Sequence, residues 1–161
     1  MPSPCPRSRA PLFLTLLLSA CAPPTLEGSV TEYLDLTYER AEAQAVNNEV
    51  TVSFLRARGE GEDTQLKVAA RLEGISLEPR AAIDLAQRMG GTTAPQRGSV
   101  SRGVLEEPVR PFPEIARGEL VFDGYLDSGK TVTGELHVTF ATGTDVYSGR
   151  TIFGRFEATV P

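Results

Sequence analysis

Gly124, Gly129, Lys130 and Thr131, in the run GYLDSGKT, have the spacing of a phosphate-cradling loop: two glycines, then lysine and threonine. Such a loop works because a strand precedes it and a helix follows, aiming free N–H groups at phosphate oxygens. The required helix is missing from the pattern. TVTGELHVTF comes next, strictly alternating and rich in β-branched residues, as a strand is. Asp127 would also set a carboxylate against the phosphate. The motif therefore reads as a hairpin turn, Asp127-Ser128-Gly129-Lys130, with glycine where positive φ is needed. No nucleotide is expected.

Other reactive side chains are sparse. His137 is the only histidine, and alternation places it on the polar face with Glu135 and Thr139, so no serine–imidazole pair is expected. Asp123, Asp127 and Asp145 carry the hard oxygens that calcium takes, but their spacing fits no compact calcium loop. Solvated turn carboxylates are the expectation, with no metal and no cofactor. Asp123 and Glu135 are the pair that a hydrolase reading would use. No catalytic residue is expected. Tyr33, Tyr125 and Phe153 alternate away from the main apolar faces and are the candidate interaction surface. In a sandwich, coverage by the helix or the proline-rich connector is the preferred reading of them, and the interaction surface the alternative.

Period-two alternation dominates the elements that must position these groups. Val30, Leu34, Leu36 and Tyr38 share one face of an expected first strand, with a bulge near Glu39 or Arg40 where the parity changes. Ala41, Ala43 and Ala45 then face Phe54, Val52 and Val50 across an Asn47-Asn48 turn, a hairpin preferred over a helix this short. Leu66, Val68, Ala70 and Leu72 form the next strand, after the polar turn Gly59 to Asp63. PRAAIDLAQRM, Pro79 to Met89, places Ala82, Leu85, Ala86 and Met89 at helical spacing, with Pro79 to start a helix and Gly90 to stop it. Gly90 to Ser101 reads as a loop, and the three prolines of Glu106 to Glu114 as a protected sheet edge. Three strands close the chain, over Leu120–Leu126, Val132–Phe140 and Ile152–Val160. The expected fold is all-β: an antiparallel β-sandwich or partly open β-barrel of about seven strands with one short helix.

The first residues point to export. Arg7 and Arg9 precede the apolar run Leu12 to Leu18, and small residues lead to Cys21. The run is too short to span a bilayer, which takes roughly 20 apolar residues. The exit LSAC, Leu18-Ser19-Ala20-Cys21, resembles the lipobox of bacterial lipoprotein precursors. That resemblance covers residues 1–21 and implies cleavage before Cys21, acylation of its thiol and amine, and a membrane anchor through its acyl chains. Ala22 stands where such precursors carry Asp for inner-membrane retention, so the resemblance points to the outer membrane. The expected division is a signal peptide over 1–20, an acylated cysteine and tether over 21–29, and one β-rich domain over 30–161.

With Cys5 in the leader and Cys21 acylated, the mature chain has neither thiol nor disulfide, so packing alone must stabilise it. Both leader arginines leave with the signal, making the rest more acidic than the whole chain's formal −5. That excludes a basic nucleic-acid groove. The expected function is that of a non-enzymatic envelope lipoprotein, lipid-anchored at the outer membrane, with a binding or structural role towards an envelope protein or glycan. A periplasmic carrier or chaperone for an apolar ligand is the alternative, and a hydrolase is third.

Overall fold

The computed structural model describes residues 24–105 and 107–161. The signal, the lipobox and Cys21 lie outside the described residues, as does Glu106. Asn47 and Asn48 both take left-handed φ, 53° and 63°, the geometry of a tight turn whose twist matches its strands. They join β1, Arg40–Val46, to β2, Glu49–Arg58. Val46 pairs with Glu49, and Ala45, Ala43 and Ala41 pair with Val50, Val52 and Phe54, the register read from the sequence. Gly59, at φ 61°, turns the chain into β3, Gly61–Arg71, antiparallel to β2.

Six further strands complete the sheet: β4, Ala82–Asp84; β5, Gly98–Gly103; β6, Arg110–Pro111; β7, Ile115–Phe122; β8, Thr131–Phe140; and β9, Thr151–Thr159. Their order is β4-β7-β8-β9-β1-β2-β3-β5-β6. The fold is all-β, a mixed nine-stranded sheet that curls like an open sandwich without closing. Every pairing is antiparallel except β1 with β9, which run parallel at Ala41–Ala158 and Glu42–Thr159. The expected all-β, partly open architecture is thus present, with nine strands where about seven were expected and one parallel pairing in an otherwise antiparallel sheet.

The inward faces meet in one core. Phe54 of β2 touches Phe156 of β9 edge-on, with ring centroids 5.6 Å apart, and Phe156 meets Phe122 of β7 at 6.0 Å. Phe112 enters from the proline-rich edge and stacks between Phe140 and Tyr147. Burial of each such side chain contributes on the order of 1.5–3 kcal/mol. The prolines do mark an edge, since β6 is the last strand of the sheet.

Four local expectations are overturned. The helix over Pro79 to Met89 is replaced by extended chain: Arg80 sits at φ 64°, which no right-handed turn accommodates, and Ile83 and Leu85 point inward two residues apart. The strand over Val30 to Tyr38 is instead a 3-10 turn, Ser29–Glu32, and an irregular run. Its four apolar residues are nonetheless all buried. The turn follows from Gly28, at φ 127°, and from the Thr31 hydroxyl donating to the Gly28 carbonyl at 2.6 Å. The bulge falls between Phe54 and Leu55, not near Glu39. The loop over Gly90 to Ser101 gives way at Gly98 to β5, which buries Val100.

The tether also ends earlier than Ser29. Glu27 exchanges two backbone hydrogen bonds with Phe153, at 2.8 and 2.9 Å, while Leu26 donates to Leu36 and Tyr38 to Pro24 on the other side. Leu26 is 1% exposed. The chain thus joins the body from Pro24 onward, between β9 and the approach to β1.

Leu85 links the two halves where the sheet stays open. Its N–H donates to Gly118 of β7 at 2.9 Å and its carbonyl accepts from Gly98 of β5 at 2.8 Å. Glycine is required at the crossing, because a Cβ on Gly98 would lie 2.6 Å from that of Leu85. Beside it the Gln96 side chain imitates a strand, donating to the Ile115 carbonyl at 2.7 Å and accepting from its N–H at 2.8 Å.

Candidate interaction surface

β7, β8 and β9 turn their polar alternates outward, and this sets the geometry of the candidate residues. Glu119, His137 and Phe153 lie in one cross-strand row, and Val121, Glu135 and Arg155 in the next. Together they line a shallow groove of about 340 Å³. His137 is exposed and meets the edge of Phe153 at 6.3 Å. Arg155 bridges Glu135 and Asp123, and Asp123 also accepts from Thr133 at 2.7 Å. The hydrolase pair therefore shares one guanidinium. It is ion-paired on an open face, whereas acid–base chemistry uses carboxyls of unequal environment.

The three aromatics are exposed: Tyr33 by 55%, Tyr125 by 62% and Phe153 by 41%. Neither a helix nor the proline-rich connector covers them. They do not make one surface. Tyr33 lies under the Arg150 guanidinium at 4.1 Å, just before β9 begins, close along the chain to Phe153. Arg150 is held in turn by Glu32 at 2.9 Å and the Ser29 carbonyl at 3.0 Å. Tyr125 sits beyond the other end of the sheet, in the β7–β8 connection, with its hydroxyl 3.4 Å from Glu78. It rims a separate crevice of about 160 Å³ lined by Ile75, Leu77, Ile83, Phe122 and Leu126.

The glycine-lysine-threonine run sits in that same connection. Gly129 is at φ 77°, and Thr131 opens β8 rather than a helix, as the alternation required. Lys130 donates to Asp127 at 2.9 Å, which raises the ammonium pKa above its ordinary value. Asp145 lies in the β8–β9 connection, paired with Arg110 at 3.3 Å and accepting from the Tyr147 N–H at 2.8 Å. It is separated from Asp123 and Asp127 by the length of β8, roughly 30 Å at the usual strand rise. The three carboxylates do not converge. Among the described residues no group of His, Cys, Asp and Glu is placed to hold a metal ion, and no helix is long and apolar enough to cross a membrane.

Buried polar residues are what sequence reasoning missed. Asp63, Gln65 and Arg97 are each 5% exposed. Arg97 donates to Gln87 at 2.9 Å and to the Arg71 carbonyl at 2.7 Å, so it ties the Leu85 crossing to the end of β3. Its place in a polar loop run gave no sign of burial. Gln65 follows from the bulge, and a bulge leaves no mark in simple alternation.

Asp35 supplies an acid-sensitive contact. Hydrogen bonds from Thr37, and then Arg56, hold its carboxyl at about 2. A lowered folded pKa stabilises above the unfolded value of about 3.9 and loses that effect as pH falls towards the folded value. The carboxyl is largely exposed, so the contribution is small. An NMR titration should place the Asp35 midpoint near 2, and Arg56→Gln should move it upward. A midpoint at the ordinary aspartate value would contradict the contact.

Compared with known proteins, the chain matches no family model, no curated protein and no solved structure.

Proposed function

We propose that this chain is a lipid-anchored envelope protein of the outer membrane, with a binding or structural role and no chemistry of its own. The observation that carries the reading is the exit LSAC followed at once by a folded body. Only Ala22 and Pro23 separate Cys21 from Pro24, whose carbonyl accepts from Tyr38. An extended chain covers at most about 3.6 Å per residue, so an acylated Cys21 would hold the body within roughly 10 Å of the bilayer. Three acyl chains anchor durably, where one binds only reversibly at ~0.8 kcal/mol per buried CH₂. Close tethering suits a protein that meets its partner at the membrane surface.

The filled interior supports contact at the outside over carriage of an apolar ligand. Tyr38, Phe54, Phe156 and Phe122 meet in sequence across the middle. The exposed Tyr33 and Phe153 offer aromatic anchors of the kind that interfaces use.

Growth of the producing cells with radiolabelled palmitate tests the anchor. The wild-type chain should carry label and fractionate with outer membranes. Cys21→Ser should carry none and be released or remain as precursor. Label retained by Cys21→Ser would refute the reading.

A further inference from the structure

We propose that the outer face at the start of β9 lies against a neutral, zwitterionic bilayer surface, with Phe153 and Tyr33 seated among the lipid headgroups. The inference deepens the anchored reading above and rests on it. The short tether is what fixes the face. Only Ala22 and Pro23 separate Cys21 from Pro24, so an acylated Cys21 lies within roughly 10 Å of the place where the chain joins the sheet. Whatever side of the sheet that place occupies is the side the bilayer meets.

Side-chain parity identifies that side. Leu26 is buried and packs over Gly154 on the inner face, where a Cβ on the glycine would come within 2.9 Å of it. Its neighbours Thr25 and Glu27 are exposed, so they point outward. Glu27 pairs directly with Phe153, and directly paired residues share a face. Phe153 is therefore on the outer side, where the tether arrives. The inner side is closed by Ile152 and Phe156.

Tyr33 belongs to the same place. The Ser29 hydroxyl accepts from the Thr151 N–H at 3.0 Å, and the Ser29 N–H donates to the Thr151 hydroxyl at 3.2 Å, so the turn Ser29–Glu32 is bound to the first residue of β9. Tyr33 ends that turn with its ring exposed. Aromatic rings settle at headgroup level, and a phenol keeps its hydroxyl in water there. Charge selects the kind of lipid. On this outer face the exposed carboxylates of Glu27, Glu119, Glu135 and Glu157 outnumber the guanidinium groups of Arg117 and Arg155. Such a face is repelled by anionic headgroups, which leaves a neutral surface as the one it fits.

The chain contains no tryptophan, so one introduced indole reports on one place. Phe153→Trp is made in the full-length gene, and the protein is purified from the producing cells and reconstituted into phosphatidylcholine vesicles containing brominated phosphatidylcholine. Ser99→Trp is the control, because Ser99 is exposed on β5, four strands from β9 around the curled sheet. Flotation with the vesicles reads the anchor, and indole emission reads the contact. The indole at position 153 should shift to the blue and be quenched by bromine, and the one at position 99 should do neither. Tyr33→Trp should behave as Phe153→Trp does, and it serves if the first variant fails to fold. A chain that does not float overturns the anchored reading and the contact with it. A chain that floats with its indole at 153 no more quenched than the one at 99 overturns the contact alone. Exchanging part of the lipid for phosphatidylglycerol should weaken the quenching; stronger quenching there would overturn the assignment of a neutral surface.

Discussion

Phe54→Ala is expected to lower the unfolding free energy by about 3–5 kcal/mol, read as a fall in the denaturant midpoint at unchanged slope. Phe54 is fully buried and stands where the two halves of the sheet face each other, with Tyr38 at 5.0 Å and Phe156 at 5.6 Å. Of its two cross-strand partners, Ala41 is too small to fill the space a lost ring would leave, and Leu66 is itself fully buried. The neighbouring strands are hydrogen-bonded on both sides, so the hole cannot collapse cheaply. Phe153→Ala is the control: on the outer face, 41% exposed, it should cost well under about 1 kcal/mol. A reversed order of the two variants would mean that β9 presents its other face to the core.

Gly28→Ala is expected to cost about 3 kcal/mol, combining overpacking with the left-handed backbone penalty. Gly28 is at φ 127°, and a Cβ there would lie 2.1 Å from the Thr151 carbonyl oxygen. Relief requires the segment to leave β9, which breaks the Glu27–Phe153 pairing and exposes Leu26 and Val30. Hydrogen exchange distinguishes this from general weakening. The amides of Glu27 and Phe153 should lose protection first, while those of the β2–β3 pair keep theirs. Uniform loss across the sheet would show that residues 24–30 and the rest unfold as one unit.

Legibility in the sequence followed how local the deciding interaction was. The Asn47-Asn48 hairpin was readable because its turn chemistry and its small-against-large pairing agree within a few residues. β8 and β9 were readable because alternation runs unbroken along each of them. Residues 82–89 misled because alanines satisfy a helical stripe as easily as an extended one, and the arbiter is remote: β4 pairs with β7, and Leu85 bonds to Gly98 and Gly118. The turn at Ser29 misled for a related reason, since a cap over the core must also point every second or fourth apolar residue inward. Tyr33, Tyr125 and Phe153 were rightly placed off the core, but their separation is a matter of which end each connection occupies.

The Glu27–Phe153 pairing also sets how the body responds to force. With Pro24 bonded to Tyr38 and Leu26 packed inside, a pull on the N-terminal side reaches the sheet with no slack to absorb it. Glu27 and Phe153 run antiparallel at the joint, so tension arriving at Pro24 is carried by this two-bond bridge and by the packing of Leu26. Under load such a joint would yield by releasing residues 24–30 while the rest of the open sheet stays whole.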